Sequence, residues 1–363
     1  MLHYKVSVVD AGNDINSAVM EAIRLIGWKP SCSEKYLIKP NMITGKTSDQ
    51  GVTTDPEIIK SLARFVKAGG GIASVGDSPG NAYPGKAREV FEKTGMMSAV
   101  EESGAEYVEF EGAPPKIIET NGIIIKSIGL AGSVFKCRLI NAPKLKTHVQ
   151  SVMTGAIKNV AFGCIPGSGK SAMHIAGTSQ DSFAKAIVDV YSVIKPHISL
   201  NIMDAVICME GNGPTAGKPK KIGKVLASTD ALALDMVSFK MAGLEPESVP
   251  YVKEAISRSL GPQSMADIEI SGELQVTKFK IPSTFLTSMS VSPLARSISS
   301  ALKSSVRIDK QKCTGCGDCT RACPVSAITL EKYAVLDQSK CISCFVCYEI
   351  CDREAIKIKR SIL

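Results

Sequence analysis

Two runs of the form C-x2-C-x2-C-x3-C stand 28 residues apart near the C-terminal end of this 363-residue sequence: Cys313, Cys316, Cys319, Cys323 and then Cys341, Cys344, Cys347, Cys351. Asp309, Ala327 and Ile328 recur at the same interval as Asp337, Ala355 and Ile356, so the repeat extends beyond the cysteines. Each half reads as a strand, a cysteine loop, one helical turn and a second strand, and two such halves predict a pseudo-symmetric unit. Three cysteines at i, i+3 and i+6 fold round one side of an iron–sulfur cube, each thiolate meeting a different iron, and the fourth iron takes a ligand from elsewhere. Zinc fits this pattern poorly. It takes its four thiolates as two separated C-x2-C pairs, which leaves the third cysteine of each run unused.

Both runs resemble those of two-cluster bacterial-type ferredoxins, in which the last cysteine of each run crosses to the other cluster. The resemblance implies two [4Fe–4S] clusters, one held by Cys313, Cys316, Cys319 and Cys351, the other by Cys341, Cys344, Cys347 and Cys323. Asp352 departs from the ferredoxin pattern, which has a proline after the last cysteine, as Pro324 is in the first run. Thr314, Gly315, Gly317 and Asp318 line the first loop, but Ile342, Phe345 and Val346 line the second. Reduction adds negative charge, which an apolar surround resists, so the cluster of the second loop is expected to have the lower potential.

A chain of this length, 44% apolar, fills more than one core and predicts two domains. The boundaries expected are an α/β domain over residues 1–280, a serine-rich linker or docking helix over 281–305, and the ferredoxin-like domain over 306–363. Nine of the 23 residues from Ser283 to Ser305 are serine, yet Leu294, Ile298, Ala301 and Leu302 share one helical face. The N-terminus has no secretory signal pattern, and no apolar run approaches the roughly 18 residues of a membrane span. A soluble, cytoplasmic protein without a membrane partner is expected, its 12 cysteines serving metal rather than disulfide chemistry. The net charge of +8 comes from interspersed basic and acidic residues with only 5% aromatics, which argues against nucleic acid as a partner.

Residues 1–280 alternate strand candidates with amphipathic stretches. The strands are expected at Tyr4–Val9, Tyr36–Ile38, Ile72–Val75, Cys137–Ile140, Ile202–Ile207 and Lys224–Ala227. Helices are expected at Ile15–Ile26, Pro56–Lys67, Phe183–Ile194 and Ala231–Met241. This is the pattern of an α/β domain with a mostly parallel sheet flanked by helices, followed by a small α+β module. In such a sheet, ligands bind beyond the carboxyl ends of the strands, and the residues there are unusually polar. Lys39 and Asn41 follow one strand and Asp77 another. Lys144, Lys146 and His148 of NAPKLKTH share one face if that segment is extended. With backbone amides near Gly211 and Gly213, this set suits a carboxylate or phosphate, and Asp77, Glu210, Asp230 and Asp235 could take protons or balance charge. Asp77 and Asp230 equally suit helix caps.

Two phosphate-binding motifs fail on spacing. In GCIPGSGKS five residues, not four, separate Gly163 from Gly169, and GNGPTAG places Gly217 one position late, so neither ATP nor NAD binding is expected. No flavin motif is visible, and a flavin stays only a secondary cofactor candidate. Cys32, Cys137, Cys164 and Cys208 have no histidine close in sequence and read as buried apolar residues rather than nucleophiles.

The strings KPNM, GDSPG, NAPKLKTH, TGAIKNVAFG, GNGP and STDALALD together resemble the family catalogued as domain of unknown function 362, over roughly residues 1 to 270. Members resembling this chain carry a C-terminal ferredoxin module, and the family supplies no reaction. The combined expectation is an oxidoreductase that takes electrons from a redox partner protein and passes them to a small anionic substrate or cofactor. Lys144, Lys146 and His148 would bind or protonate that substrate, with Asp77 or Asp230 assisting. A carrier or sensor without local chemistry is the alternative, and the distance from strand ends to clusters separates the two.

Overall fold

The computed structural model describes residues 4–80, 85–167, 169–177, 179–284 and 305–359. The chain begins with β1 (Tyr4–Asp10), α1 (Ile15–Ile26), β2 (Lys35–Lys39), α2 (Pro56–Ala68) and β3 (Ile72–Val75). Next come α3 (Lys86–Lys93), α4 (Met96–Ser103), β4 (Glu106–Tyr107), the hairpin β5 (Lys116–Glu119) and β6 (Ser127–Leu130), and β7 (Arg138–Asn141). After β8 (Lys144–His148) and β9 (Val152–Thr154), three helices follow: α5 (Ala156–Gly163), α6 (Gly169–Ala176) and α7 (Gln180–Ile194). The domain closes with β10 (Ile198–Glu210), β11 (Lys218–Ser228), α8 (Ala231–Met241), α9 (Pro250–Ser257) and β12 (Ile268–Ser271).

The large sheet runs β12-β1-β11-β10-β7-β2-β3-β4, with β8 attached to β10 and β9 to β8. Along that order only β11 pairs antiparallel, so the sheet is mostly parallel, as expected. Strand alternation divides its two faces between two cores. Leu37 points to a core with α5, α7 and α8, while Tyr36 and Ile38 point to one with α1 and α2. Side-chain caps start the helices on time: Asp14 accepts from Ser17 N at α1, and Asp55 precedes the N1 proline of α2. Because β2, β3 and β7 are parallel, Lys39, Asn41, Asp77 and Asn141 gather at the carboxyl ends of these strands.

The C-terminal module is built from the two halves read in its sequence. The first is β13 (Ser305–Ile308), a cysteine loop, α10 (Asp318–Ala322) and β14 (Ile328–Leu330). The second is β15 (Ala334–Leu336), a loop, α11 (Val346–Glu349) and β16 (Ile356–Lys359). The halves exchange strands, β13 pairing with β16 and β14 with β15. Equivalent hydrogen bonds mark the symmetry: Ala327 N donates to Cys323 Sγ at 3.1 Å and Ala355 N to Cys351 Sγ at 3.3 Å. The docking helix read at Leu294, Ile298, Ala301 and Leu302 lies outside the described residues.

The module packs on the α/β domain through contacts between residues far apart in sequence. Tyr348 Oη donates to Asn212 O, Thr215 Oγ1 donates to Glu349 O, and Lys46 pairs with Glu354 at 2.6 Å. Gly211 and Gly213, expected as anion-binding amides, belong to this docking loop. Gly213 O accepts from Val149 N, and Val149 joins the module's apolar core.

Candidate functional site

At the strand ends, Lys39 and Asp77 are fully buried and paired, Nζ to Oδ1, at 2.8 Å. Lys39 Nζ also donates to Pro40 O and Asn159 Oδ1, while Asp77 accepts from Met42 N and Ser78 N. Burial pushes the Asp77 carboxyl up against the pull of Lys39. The pair therefore costs desolvation, and what it secures is geometry: it ties β2, β3 and α5 together. A chain of amides continues it. Asn159 accepts from Asn41 Nδ2 and donates to Asn141 Oδ1, and Asn141 donates to Asn201 Oδ1. A side chain at Gly163 would collide with Lys39 and Asp77, which explains the glycine closing the TGAIKNVAFG string.

Beside this network lies a cavity of about 70 Å³, between the α/β domain and the module. Lys158, Lys170, His174, Asn41 and Thr154 line it from one side, Val346 and Glu349 of α11 from the other. Lys170 Nζ donates to Ser78 Oγ, whose hydroxyl in turn donates to Glu111. Lys158 Nζ lies 2.8 Å from His148 Nε2 and 4.6 Å from the centre of the Phe162 ring. Burial pushes both lysines down to about 8. Neither has a carboxylate partner within 4 Å among the described residues. Burial also lowers His148 and His174 to about 4, leaving both imidazoles neutral at pH 7. Burial would raise Glu349, but His148 and then Lys158 outweigh it and bring the carboxyl down to about 2; at pH 7, where His148 is neutral, Lys158 is the cation that favours the carboxylate. Three buried side-chain atoms on the cavity wall have no hydrogen-bond partner among the described residues: Asn41 Oδ1, Thr154 Oγ1 and Glu349 Oε1, the last 3.2 Å from His148 Nε2 without hydrogen-bond geometry.

The NAPKLKTH segment is extended, but its three cationic residues do not form one patch. Lys144 is buried against Asp204 of β10 at 2.8 Å, and Lys146 donates to Val52 O at 2.7 Å, its pKa driven well down by burial and by the charges of Lys158 and Lys144. His148 stands behind Lys158 rather than in the cavity, its Nδ1 accepting from Gln150 N and Ser151 N. Asp230 caps α8, accepting from Ala233 N, and lies outside the cavity wall. Asp235 accepts from Ala156 N and Ile157 N at the start of α5, and burial raises its carboxyl to about 7. Of the sequence-derived set only Lys39, Asn41 and Asp77 reach the cavity, and Lys39 and Asp77 do so as a mutually neutralised pair.

Lys158, Lys170, His174 and Glu349 were not among the expected residues. Lys170 belongs to GCIPGSGKS, whose spacing rules out a P-loop but says nothing of the lysine itself. Among the other cysteines, Cys164 and Cys208 are buried and driven up to about 12 and beyond, as inert thiols are, whereas Cys32 is exposed rather than buried.

Within the module, one cavity is lined by Cys313, Cys316, Cys319 and Cys351, and a second by Cys341, Cys344, Cys347 and Cys323. Among the described residues no three His, Cys, Asp or Glu side chains could hold a single metal ion. Four cysteines line each cavity. The second cavity has an almost wholly apolar wall that includes Val306, Ile328, Leu336 and Phe345, while Lys86, Lys93, Asp318 and Arg353 face the first. Redox titration of variants retaining one cavity's cysteines is expected to give the lower potential to the Cys341, Cys344, Cys347 set. The reverse order would show that charge and amide donors outweigh dryness.

The fold and the module's cysteines define the class: an iron–sulfur protein in which a ferredoxin-type 4Fe–4S domain is packed onto a mostly parallel α/β domain. A family model described as "Domain of unknown function (DUF362)" matches residues 37–240, and one described as "4Fe-4S dicluster domain" matches residues 305–352. The chain belongs to the domain of unknown function 362 family. A thylakoid-associated protein of Synechocystis is 32% identical over 258 residues, which are 70% of this chain and 78% of that relative. Among the described residues no helix is long and apolar enough to cross a membrane.

Proposed function

We propose that this chain is an oxidoreductase that binds two [4Fe–4S] clusters through the crossed cysteine sets and serves a small anionic substrate in the cavity between module and α/β domain. The observation that carries this reading is the position of α11: Val346 and Glu349 line the cavity, and Cys347 lies between them on the same turn. A substrate there would lie against the helical turn that carries Cys347, and this adjacency favours electron delivery over a carrier role. Bound clusters supply electrons one at a time. The chain's own residues do the rest: Lys158 and Lys170 attract and orient the anion, the aromatic faces of Phe162 and Phe183 beside His174 exclude water, and the Lys39–Asp77 pair holds the strand ends in place. A redox partner protein is expected to reduce the module from outside, and the resemblance to a thylakoid-associated protein leaves the compartment open.

The test is anaerobic. Dithionite-reduced protein is mixed with small-molecule fractions of a cell extract, and the return of cluster absorbance is followed. A fraction that reoxidises the wild type and acts at least about tenfold more slowly on Lys158→Met, with cluster spectra unchanged, supports the reading. Reduced protein that persists with every fraction speaks for a carrier.

A further inference from the structure

The cavity's donors and acceptors go further than "anion". Resting on the reading above only in that this cavity holds a small anion, we propose that it binds a short hydroxycarboxylate, with the carboxylate between Lys158 and Lys170 and the hydroxyl donating to His174 Nε2.

The tautomer of His174 follows from its neighbour. Its Nδ1 lies 3.1 Å from Gln150 Oε1, and the tautomer that makes this hydrogen bond carries its proton on Nδ1 and presents a lone pair at Nε2. Stacking on Phe183 and contact with Phe162 fix the ring, and the residue lines the cavity. Asn41 Oδ1, Thr154 Oγ1 and Glu349 Oε1, all buried and without a hydrogen-bond partner among the described residues, add three more atoms able to accept from a hydroxyl. The lysines supply the complementary charge. Each makes one hydrogen bond, to His148 Nε2 or Ser78 Oγ, and keeps donors for a carboxylate.

Size and charge narrow the class. A cavity of about 70 Å³ has room for roughly five waters at about 10–15 Å³ of such volume each, hence for a ligand of five or six non-hydrogen atoms. A nucleotide, a flavin or a phosphate ester exceeds that. Inorganic phosphate fits by size and its P–OH groups can also donate, so it is the competing ligand that the experiment below separates from a hydroxycarboxylate. An amino acid would bring an ammonium group among two buried lysines and a single carboxylate, Glu349, so repulsion from two cations opposes attraction to one anion. A hydroxyl satisfies the acceptors without that cost.

Calorimetry on the anaerobically purified full-length protein compares glycolate and lactate with acetate, glycine and inorganic phosphate. The expected result is that glycolate or lactate binds at least about tenfold more tightly than acetate or glycine, the value of one hydrogen bond to a charged or buried partner. Lys170→Met weakens glycolate and acetate alike, whereas His174→Phe removes the preference for glycolate and leaves acetate unchanged. Cluster absorbance and the thermal midpoint verify that each variant is folded. The comparison of ligands on the wild type decides the matter even if a variant fails to fold. Equal binding of acetate and glycolate, tighter binding of glycine or phosphate, or no binding at millimolar concentration overturns the proposal. The two readings fail separately: reoxidation by other small molecules without glycolate binding leaves electron delivery standing, and glycolate binding without any reoxidation leaves the ligand site standing.

Discussion

Replacing Lys39 by methionine is expected to lower the stability of the chain by about 3–5 kcal/mol, because Asp77 would remain as a buried carboxylate without its counter-charge. Asp77 is 1% exposed and burial already pushes its carboxyl up, so the lost partner cannot be replaced by water. Two of the three acceptors of Lys39 Nζ, Pro40 O and Asn159 Oδ1, lose a donor at the same time. Urea unfolding followed by far-ultraviolet circular dichroism measures the loss. Adding Asp77→Leu to the same chain should recover much of it, since a pair replaced by apolar groups is often neutral. A loss below about 1 kcal/mol would mean that Lys39 is a ligand-binding cation rather than part of the frame.

The second large effect concerns the crossed cysteines. Changing Cys347 to alanine should reduce the iron content from about eight to about four per chain, one [4Fe–4S] complement. Since Cys323 lines the same cavity as Cys347, and Cys351 the same cavity as Cys316, the variants should fall into two spectroscopic groups that cut across the sequence repeats. Cys323→Ala is expected to leave the same electron paramagnetic resonance signal as Cys347→Ala, and Cys351→Ala the same as Cys316→Ala. Grouping by repeat instead would mean that each run holds its own cluster. Cys164→Ala, a buried thiol outside the module, should leave iron unchanged.

Much of the frame was legible because it depends on local periodicity. The expected bounds of α1, α8 and β3 coincide with those observed: α1 has both an amphipathic face and the Asp14 cap, whereas α8 is buried on nearly every side and is marked by its Asp230 cap. β10 was read as Ile202–Ile207 and runs from Ile198 to Glu210, because its outer residues are held by pairing with β11, β7 and β8, which no local pattern reports. The site was harder to read for the same reason. Lys144 looked like a ligand-binding cation, but Asp204, conspicuous in the apolar run LNIMDAVICM, is its partner in register on the neighbouring strand. A lone carboxylate in such a run already asks for a buried cation. Lys158 and Asn159 both lie in TGAIKNVAFG, and only the helical turn of α5 brings them to the cavity wall, where Asn159 also joins the amide chain. Glu349 comes from a module some 190 residues further along, beyond any reading by spacing.

The wall that α11 lends to the cavity makes the two parts of the chain hard to exchange. In many multidomain redox proteins a ferredoxin unit is a detachable plug, and one can stand in for another if the potential suits. Here a borrowed module would bring its own residues in place of Val346, Tyr348 and Glu349, and with them a different pocket and a different fit to the Asn212 and Thr215 loop. Lineages of this family would then inherit module and α/β domain as one piece.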